Sequence, residues 1–177
     1  MGRLATWAIP FAAPFAAMAA VVVASNVLVQ FPINDWLTWG AFTYPVAFLV
    51  TDLTNRRLGP DAARRVAIAG FVAAVLLSMW LATPRIALAS GTAFLTAQLL
   101  DVTLFDRLRR RPWWQAPLAS STLASIWDTA VFFSLAFAGT GLPWVTWALG
   151  DLAVKLAMAL ALLLPFRALM GSRPAPA

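Results

Sequence analysis

The sequence predicts an all-α integral membrane protein, a bundle of six transmembrane helices with both termini in the cytoplasm. Of its 177 residues, 62% are hydrophobic and 11% are charged, and the mean hydropathy is +0.79. Charged residues make up about a quarter of a typical soluble domain, so this composition argues against one. Most of the 13 basic side chains lie in short clusters between long apolar segments, a distribution that is typical of membrane topology.

Six segments are long and apolar enough to be membrane spans, since a spanning helix needs about 20 mostly apolar residues. They are residues 7–30, 37–53, 66–83, 86–105, 118–138 and 143–166. Only Pro84 and Arg85 separate the third segment, which ends at Thr83, from the fourth. Because the Thr83–Pro84 connection is so tight, these two segments should form a helical hairpin. Pro45 should kink the second segment. We therefore expect a single domain over residues 1–177.

The basic residues predict the orientation of the bundle. With six spans, one side would carry Arg3, Arg56, Arg57, Arg64, Arg65, Arg107, Arg109, Arg110, Arg111, Arg167 and Arg173, and the opposite side only Arg85. By the positive-inside rule, both termini lie in the cytoplasm. The alternative, a nucleic-acid patch at residues 107–111, is disfavoured because the run borders predicted spans and has no RNA-binding motif around it.

Several residue types and motifs are absent from the sequence. It has no Cys, His or Glu, so all seven acidic residues are Asp, and it has no GxxxxGK[ST] loop. Disulfides, His/Cys metal sites and Cys or His nucleophile–base pairs are excluded, and an ATPase motor is not in this chain. We therefore expect no enzyme activity, no metal and no cofactor.

Polar side chains recur on single faces of the fourth and fifth segments. An ionised side chain in hydrocarbon costs at least about 2.5–3.5 kcal/mol at mid-helix, so such residues are expected to face the bundle interior and to have a function. Steps of three or four place them on one helical face. The fourth segment carries Ser90, Phe94, Gln98, Asp101 and Phe105, and the fifth carries Ser121, Ser125, Asp128 and Phe132.

The sixth segment carries Asp151 and Lys155 one turn apart, where opposite charges can pair along the helix. Two interpretations remain open: an ion pair that lets the helix insert, or a role in substrate binding or proton coupling. For Asn26 the alternatives are substrate binding and an interhelical hydrogen bond. For Asp52, near the cytoplasmic end of its span, they are a function and an interfacial Arg partner. Trp127 could stack on a flat ligand or pack in the core.

Gathered in one pocket, these side chains would suit a planar heterocycle. Amides and carboxylates recognise donor and acceptor edges, and aromatic rings cover the faces. One carboxylate can accept two parallel hydrogen bonds from a guanine-like N–H and amino edge. The set comprises Asn26, Gln98, Asp101, Asp128, Asp151 and Lys155.

The sequence resembles the bacterial queuosine precursor transporters, also called the VUT or vitamin-uptake-like family, from about residue 25 to 155. The matching stretches, in the family's order, are SNVLVQ at 25–30, TWGAF at 38–42, TDLT at 51–54, ARR at 63–65, RIALAS at 85–90, QLLD at 98–101 with Phe105, RLR at 107–109, WW at 113–114, DT at 128–129, and Asp151 with Lys155. Each motif is nonspecific alone, but together, in a chain of six spans, they are specific.

The resemblance implies an importer of 7-deazaguanine precursors in the bacterial inner membrane, serving salvage into tRNA queuosine. On this basis Asp101 or Asp128 would bind the edge of the base, and Asn26 and Gln98 would complete the polar contacts. Trp127 or Phe105 would pack on the ring. The Asp151–Lys155 pair would serve structure or coupling, and Asp52 and Arg85 would lie at a gate or interface.

Two other functions remain as alternatives. The chain could be the substrate-binding membrane subunit of a vitamin-type importer that uses a separate ATPase module, which size and span count suit equally well. It could also be a small intramembrane enzyme or assembly factor, although the lack of a nucleophile–base pair argues against an enzyme. The expected partners are a nucleobase substrate and membrane lipid, not nucleic acid. The sequence leaves a homodimer open and does not require a partner ATPase.

Overall fold

A computed structural model describes the backbone of residues 3–28, 31–34, 36–81 and 83–171, and the side chains within these ranges other than those of residues 3–11, 26, 32, 38, 78, 79 and 81. The described elements are α1 (Arg3–Leu28), β1 (Pro32–Asn34), β2 (Leu37–Thr38), α2 (Gly40–Thr43), α3 (Val46–Leu58), α4 (Pro60–Leu81), α5 (Pro84–Leu108), α6 (Gln115–Phe137), α7 (Trp144–Ala161) and α8 (Leu163–Leu169). The all-α fold class is confirmed.

Three of the described helical segments are long and apolar enough to cross a membrane. They are Pro84–Leu108, Gln115–Phe137 and Trp144–Leu169, and Ala12–Ser25 within α1 is a shorter apolar stretch. The three long segments coincide with the fourth, fifth and sixth predicted spans. The helical hairpin predicted at Thr83 and Pro84 is also present: the Thr83 side chain caps α5, and Pro84 is its first residue, where a missing N–H costs no hydrogen bond.

The second predicted span, residues 37–53, differs most from expectation. Its first residues form β2, which pairs antiparallel with β1 in a small hairpin. The Asn34 side chain closes this hairpin by accepting a hydrogen bond from the Trp36 backbone N–H at 2.9 Å. Helical structure then stops at Thr43 and resumes at Val46. Pro45 explains the interruption, because it has no N–H to donate to the carbonyl of Ala41 one turn earlier.

Helices α4, α5 and α6 make the most extensive contacts between helices in the bundle. Helix α4 packs against α1, α3 and α5, and α5 packs along α6, which in turn packs against α7. An apolar core joins α1, α3, α4 and α5 through Met18, Ala47, Val66 and Phe94, all buried. Helix α3 therefore lies inside the bundle, which places its polar residues among the other helices.

The two ends of the bundle have different chemistry. At one end, here called the hairpin end, lie the β1–β2 hairpin, the end of α6 and the start of α7. At the other, the arginine end, Arg109 donates to the Asn55 carbonyl at 3.2 Å, and Arg56 donates to the Arg109 carbonyl at 2.9 Å. Arg57 also donates to the Leu169 carbonyl. These bonds join the α3, α5 and α8 termini.

Gly70 allows α1 and α4 to approach closely, and we predict that Gly70→Leu destabilises the protein. A Cβ at this position would lie 2.6 Å from Cγ of Met18 and 3.2 Å from the Phe94 ring. Overpacking of this kind costs about 1–3 kcal/mol. The midpoint of thermal unfolding of the detergent-solubilised protein, followed by tryptophan fluorescence, should fall by several degrees.

The matched control is Gly150→Leu, since no described atom lies within 4 Å of a Cβ built at Gly150 in α7. This variant should unfold close to the wild-type temperature. Equal destabilisation by both substitutions would contradict the close packing of α1 on α4.

Candidate functional site

The ammonium of Lys155 is buried between two carboxylates. Its Nζ lies 2.7 Å from Oδ2 of Asp128 on α6 and 2.5 Å from Oδ2 of Asp151 on its own helix. It also donates to the hydroxyl of Thr129 at 3.2 Å, and that hydroxyl donates to Asp151 at 2.9 Å. All three N–H groups of the ammonium therefore have an acceptor. A cation buried in this way is stable only because its charge and its hydrogen bonds are both satisfied.

Tyr44 completes this arrangement from the break between α2 and α3. Its hydroxyl donates to Oδ1 of Asp128 at 3.1 Å, and its ring lies 5.4 Å from the Lys155 Nζ. We call Tyr44, Asp128, Thr129, Asp151 and Lys155 the Lys155 cluster. Two carboxylates and one ammonium give it a formal charge of −1, which favours a ligand that is rich in hydrogen-bond donors or is itself a cation.

The Lys155 cluster forms one wall of a cavity of about 700 Å³ at the hairpin end. This volume lies in the range of small-molecule binding sites. Residues of the β1–β2 hairpin and of α2 also line the cavity, and Ser25 and Ser90 contribute hydroxyl groups from α1 and α5. The Ser25 oxygen is buried and has no hydrogen-bond partner among the described residues, so it is available to a ligand.

Aromatic rings cover much of the remaining surface of the cavity. Phe132 and Phe133 meet edge to face at 5.1 Å between ring centroids, and Phe137 meets Trp147 in the same way at 5.7 Å. Trp36 from the hairpin also lines the cavity. Rings on the walls and a charged group at one side suit a flat, polar ligand.

Asp151 is the acidic side chain in the cavity with the most free acceptor capacity. Both oxygens of Asp128 are engaged, one by Tyr44 and one by Lys155. In Asp151, Oδ2 receives Lys155 and Thr129, whereas Oδ1 has no hydrogen bond to the described residues. The Asp151 side chain is 21% exposed, compared with 4% for Asp128. A ligand in the cavity therefore meets Asp151 first.

A second polar cluster lies deeper, towards the arginine end. Asp52 on α3 accepts hydrogen bonds from Ser120 at 3.4 Å and Ser121 at 3.3 Å. The carboxyl group of Asp101 on α5 interacts with that of Asp52. Both carboxyl groups are buried, and no Lys or Arg of the described residues pairs with either. Together with Thr51 and Gln98 these residues form what we call the Asp52 cluster.

Thr51 connects Gln98 to Asp101 within the Asp52 cluster. Its hydroxyl lies 2.9 Å from the Gln98 amide group and 3.3 Å from Oδ2 of Asp101. A hydroxyl has one proton to donate, and the carbonyls of Ala47 and Phe48 lie within 3.2 and 2.9 Å of the same oxygen. Thr51 therefore cannot donate to Oε1 of Gln98 and to Asp101 at once. Oδ1 of Asp101 still lacks a partner among the described residues. The Asp52 cluster is thus buried, but not all of its polar atoms have a hydrogen-bond partner among the described residues.

The structure divides the predicted site residues between these two clusters. Asp128, Asp151 and Lys155 come together at the cavity, whereas Gln98, Asp101 and Asp52 lie in the Asp52 cluster and do not line it. The four carboxylates of Asp52, Asp101, Asp128 and Asp151 therefore do not meet in one pocket. Within the described part of the chain, no group of three or more acidic side chains converges as metal ligands would.

The remaining predicted site residues lie elsewhere. Phe105 is fully buried and packs edge to face on Phe166 near the arginine end, at 5.9 Å. Trp127 is about half exposed, because it lies one residue before Asp128 and so points away from the inward face of α6. Its indole N–H donates to the Thr96 hydroxyl at 3.0 Å. Arg85 caps the end of α6 by donating to the carbonyls of Leu135 and Ala138. The Asn26 side chain lies outside the described residues.

Sequence reasoning missed Tyr44, Thr129 and the β1–β2 hairpin as parts of the site. A signal for Tyr44 was present, since it is the only Tyr of the chain and directly precedes Pro45. Thr129 follows Asp128, a step of about 100° around the helix, so a search by helical face alone excludes it. Residues 37–38 of the hairpin were assigned to the second span and residues 32–34 to the connection before it, because composition alone does not separate a short strand from the start of a span.

The chain matches known transporters over most of its length. The family described as "Putative vitamin uptake transporter" matches residues 38–83 and 78–170. A "Queuosine precursor transporter" of Escherichia coli (strain K12) is 37% identical over 174 residues, covering 82% of this chain and 79% of the relative. A "Probable queuosine precursor transporter" of Haemophilus influenzae is 37% identical with the same coverage.

A third relative is more distant. The "Probable queuosine precursor transporter" of Bacillus subtilis (strain 168) is 28% identical over 130 residues, or 58% of this chain and 57% of the relative. No solved structure matches the chain. The family match extends across both clusters, from α3 to α7. The chain is therefore a membrane protein that belongs to the vitamin uptake transporter family.

Proposed function

We propose that this protein imports 7-deazaguanine precursors of queuosine across the bacterial inner membrane, and that it acts as a transporter and not as an enzyme. Two relatives that are 37% identical over 82% of the chain are named as transporters of these precursors. The observation that carries the proposal is the cavity of about 700 Å³, where the Lys155 cluster faces aromatic walls. A deazaguanine ring is flat and polar at its edge, so it matches this lining.

The chemistry of the Lys155 cluster suits the edge of a guanine-like base. The ring N–H and the exocyclic amino group are donors, and a carboxylate can accept both in parallel. The O6 oxygen beside them is an acceptor, as in guanine. Asp151 supplies one free carboxylate oxygen, Oδ1, to accept from these donors. The N–H groups of Lys155 are all engaged within the cluster, so its positive charge, and not a further hydrogen bond, would attract the O6 oxygen. The aromatic side chains Phe132, Phe137 and Trp147 would cover the ring faces.

The proposal includes six spans and an outward-facing hairpin end. Helix α1, the α2–α3 pair, α4, α5, α6 and the α7–α8 pair would each cross the bilayer once. The arginine end would face the cytoplasm, in agreement with the positive-inside rule. The cavity would then open to the outside, as an importer in its substrate-accepting state requires. Asp128 and Asp151 replace Asp101 as the carboxylates of the binding site in this proposal.

Cysteine labelling tests the orientation, because the wild-type chain has no Cys. We expect Thr140→Cys, in the exposed loop between α6 and α7, to react with a membrane-impermeant maleimide in intact cells whose outer membrane has been permeabilised. Arg110→Cys, in the exposed loop after α5, should react only after the inner membrane is opened. The reverse pattern would contradict the proposed orientation.

Uptake in cells tests the substrate. A strain that cannot make queuosine and lacks its own importer should recover queuosine in its tRNA when it expresses this protein and grows with a 7-deazaguanine precursor. Mass spectrometry of digested tRNA gives the readout. If queuosine stays absent although the protein reaches the membrane, the proposed substrate is wrong. Recovery that depends on a separate ATPase module would favour the alternative function as the membrane subunit of a larger importer.

Binding by the purified protein tests the role of Asp151. We expect Asp151→Asn to weaken binding of the precursor by about 10–150-fold, since a hydrogen bond to a charged group contributes about 1.5–3 kcal/mol. Lys155 keeps Asp128 as its partner in this variant, so the fold should persist. Titration calorimetry in detergent would measure the dissociation constant.

The matched control is Asp106→Asn, which also removes one negative charge. Asp106 pairs with Arg109 at the arginine end, away from the cavity. Its loss should leave the dissociation constant within about twofold of the wild-type value, because Asp106 does not line the cavity and makes its ion pair with Arg109 at the other end of the bundle. Unchanged binding in Asp151→Asn, with the protein folded, would remove Asp151 from the site.

A further inference from the structure

A small cavity lies between the Lys155 cluster and the Asp52 cluster. Its volume is about 10 Å³, which is room for about one water molecule. The polar side chains that line it are Asp52 from α3, Ser121 and Ser125 from α6, and Lys155 from α7. A buried water needs two to four polar partners, and this lining supplies that number. The cavity thus touches both clusters.

Ser125 gives independent evidence for a molecule in this cavity. Its side chain is 1% exposed, and its oxygen has no hydrogen-bond partner among the described residues. An unpaired buried hydroxyl costs about 1–3 kcal/mol, so a partner is expected. Ser125 lies one turn beyond Ser121 and one turn before Asp128 on the same face of α6. A water here would therefore continue a line of polar groups along this helix.

The Asp52 cluster has the properties of a proton-binding site. Two neighbouring carboxyl groups, buried without a cation, repel each other if both are ionised, so one proton is expected between them. The groups that face the small cavity are Asp52 from α3 and Lys155 from α7. Helix α5, which is described over its whole length, contributes no lining residue, and its Asp101 lies behind Asp52, with which its carboxyl group interacts. Helix α6 contributes only serines at this level, and Asp128 lies beyond Lys155. The charged residues of α4 lie in its first turns, at the arginine end.

We propose that one water molecule in the small cavity joins the Lys155 cluster to the Asp52 cluster, and that this chain of groups carries the proton whose inward movement drives uptake. The inference rests on the proposed transport function and supplies its energy source. The route runs from the ligand cavity through Ser125, the water and Ser121 to Asp52 and Asp101. Each hydroxyl and the water accept a proton on oxygen and release another, and rotation of their O–H bonds then restores the starting orientation. The proton taken up by Asp52 or Asp101 leaves towards the arginine end, which restores the carboxylate for the next cycle.

The position of the Asp52 cluster fits the end of such a route. One turn after Asp52, Asn55 is buried and donates to the Val102 carbonyl, and beyond it Arg109 binds the Asn55 carbonyl. The Asp52 cluster is therefore the last buried acidic group before the arginine end. A proton that reaches it has passed the ligand cavity, as coupling between proton and ligand requires.

Reconstituted vesicles separate coupling from binding and translocation. The full chain in phospholipid vesicles would be assayed with a radiolabelled 7-deazaguanine precursor in two ways: counterflow exchange without any gradient, and accumulation driven by an acidic exterior. Wild type should do both, and a proton ionophore should abolish accumulation only. Asp52→Asn should keep counterflow and lose gradient-driven accumulation, since an amide can bond Ser120 and Ser121 but cannot exchange the proton.

A second variant addresses the water. Ser125→Ala removes one hydroxyl and should slow gradient-driven accumulation more than it slows counterflow. Its matched control is Ser134→Ala, an exposed serine on the same helix that lines neither cavity. The control should match wild type in both assays.

Several results would overturn the proposal. If accumulation of the precursor by the wild-type protein did not depend on the pH gradient, or depended on a sodium gradient instead, proton coupling would be excluded while the transport function remained. If Asp52→Asn or Ser125→Ala accumulated the precursor as fast as the wild-type protein, the route would be excluded. Absence of counterflow in the folded wild-type protein would overturn the transport function itself, and the coupling with it, so the two failures are distinguishable.

Discussion

The buried ammonium of Lys155 is the constraint on which the site depends. A lysine at the centre of a spanning helix costs at least about 2.5–3.5 kcal/mol, unless charge and hydrogen bonds compensate it. Asp151 compensates it from the same helix and Asp128 from the neighbouring one, at 2.5 and 2.7 Å. This requirement fixes the rotation of α7 against α6. It also explains why α7, although strongly apolar, turns one charged face inward.

The same cluster links the helical bundle to the ligand cavity. Tyr44 reaches Asp128 because Pro45 interrupts the helix there and α2 turns towards α7. Residues of the β1–β2 hairpin line the same cavity as Lys155. Since Lys155 neutralises only one of its two carboxylates, the cluster keeps a negative charge next to aromatic walls. The polar residues Asp128, Ser125 and Ser121 follow one face of α6 and lead to Asp52 on α3. In the proposed route they connect the Asp52 cluster to the ligand cavity.

Helical periodicity predicted the helices and the inward faces well, but not the grouping of the polar residues. The Asp151–Lys155 spacing predicted an ion pair, and the pair is present. The second carboxylate partner of Lys155 could not be derived, because the choice between Asp101 on α5 and Asp128 on α6 depends on which helix packs against α7 and at what height. In the structure α6 packs against α7, which brings Asp128 to Lys155. Likewise, the sequence shows that Trp127 is next to Asp128, but a step of one residue is about 100° around the helix, so the Trp127 side chain points outward. The β1–β2 hairpin is closed by a hydrogen bond from the Trp36 backbone N–H to the Asn34 side chain, and a hydropathy profile cannot predict such a bond.

A structure of the protein with a bound 7-deazaguanine precursor tests the central claim most directly. The account predicts the ring between the aromatic walls at the hairpin end, with its N–H and amino edge within hydrogen-bonding distance of Asp151 and its oxygen near Lys155. The Asp52 cluster should make no contact with the ligand. A ligand held by Asp101 and Gln98, or a hairpin-end cavity filled by lipid while the precursor binds elsewhere, would contradict the account.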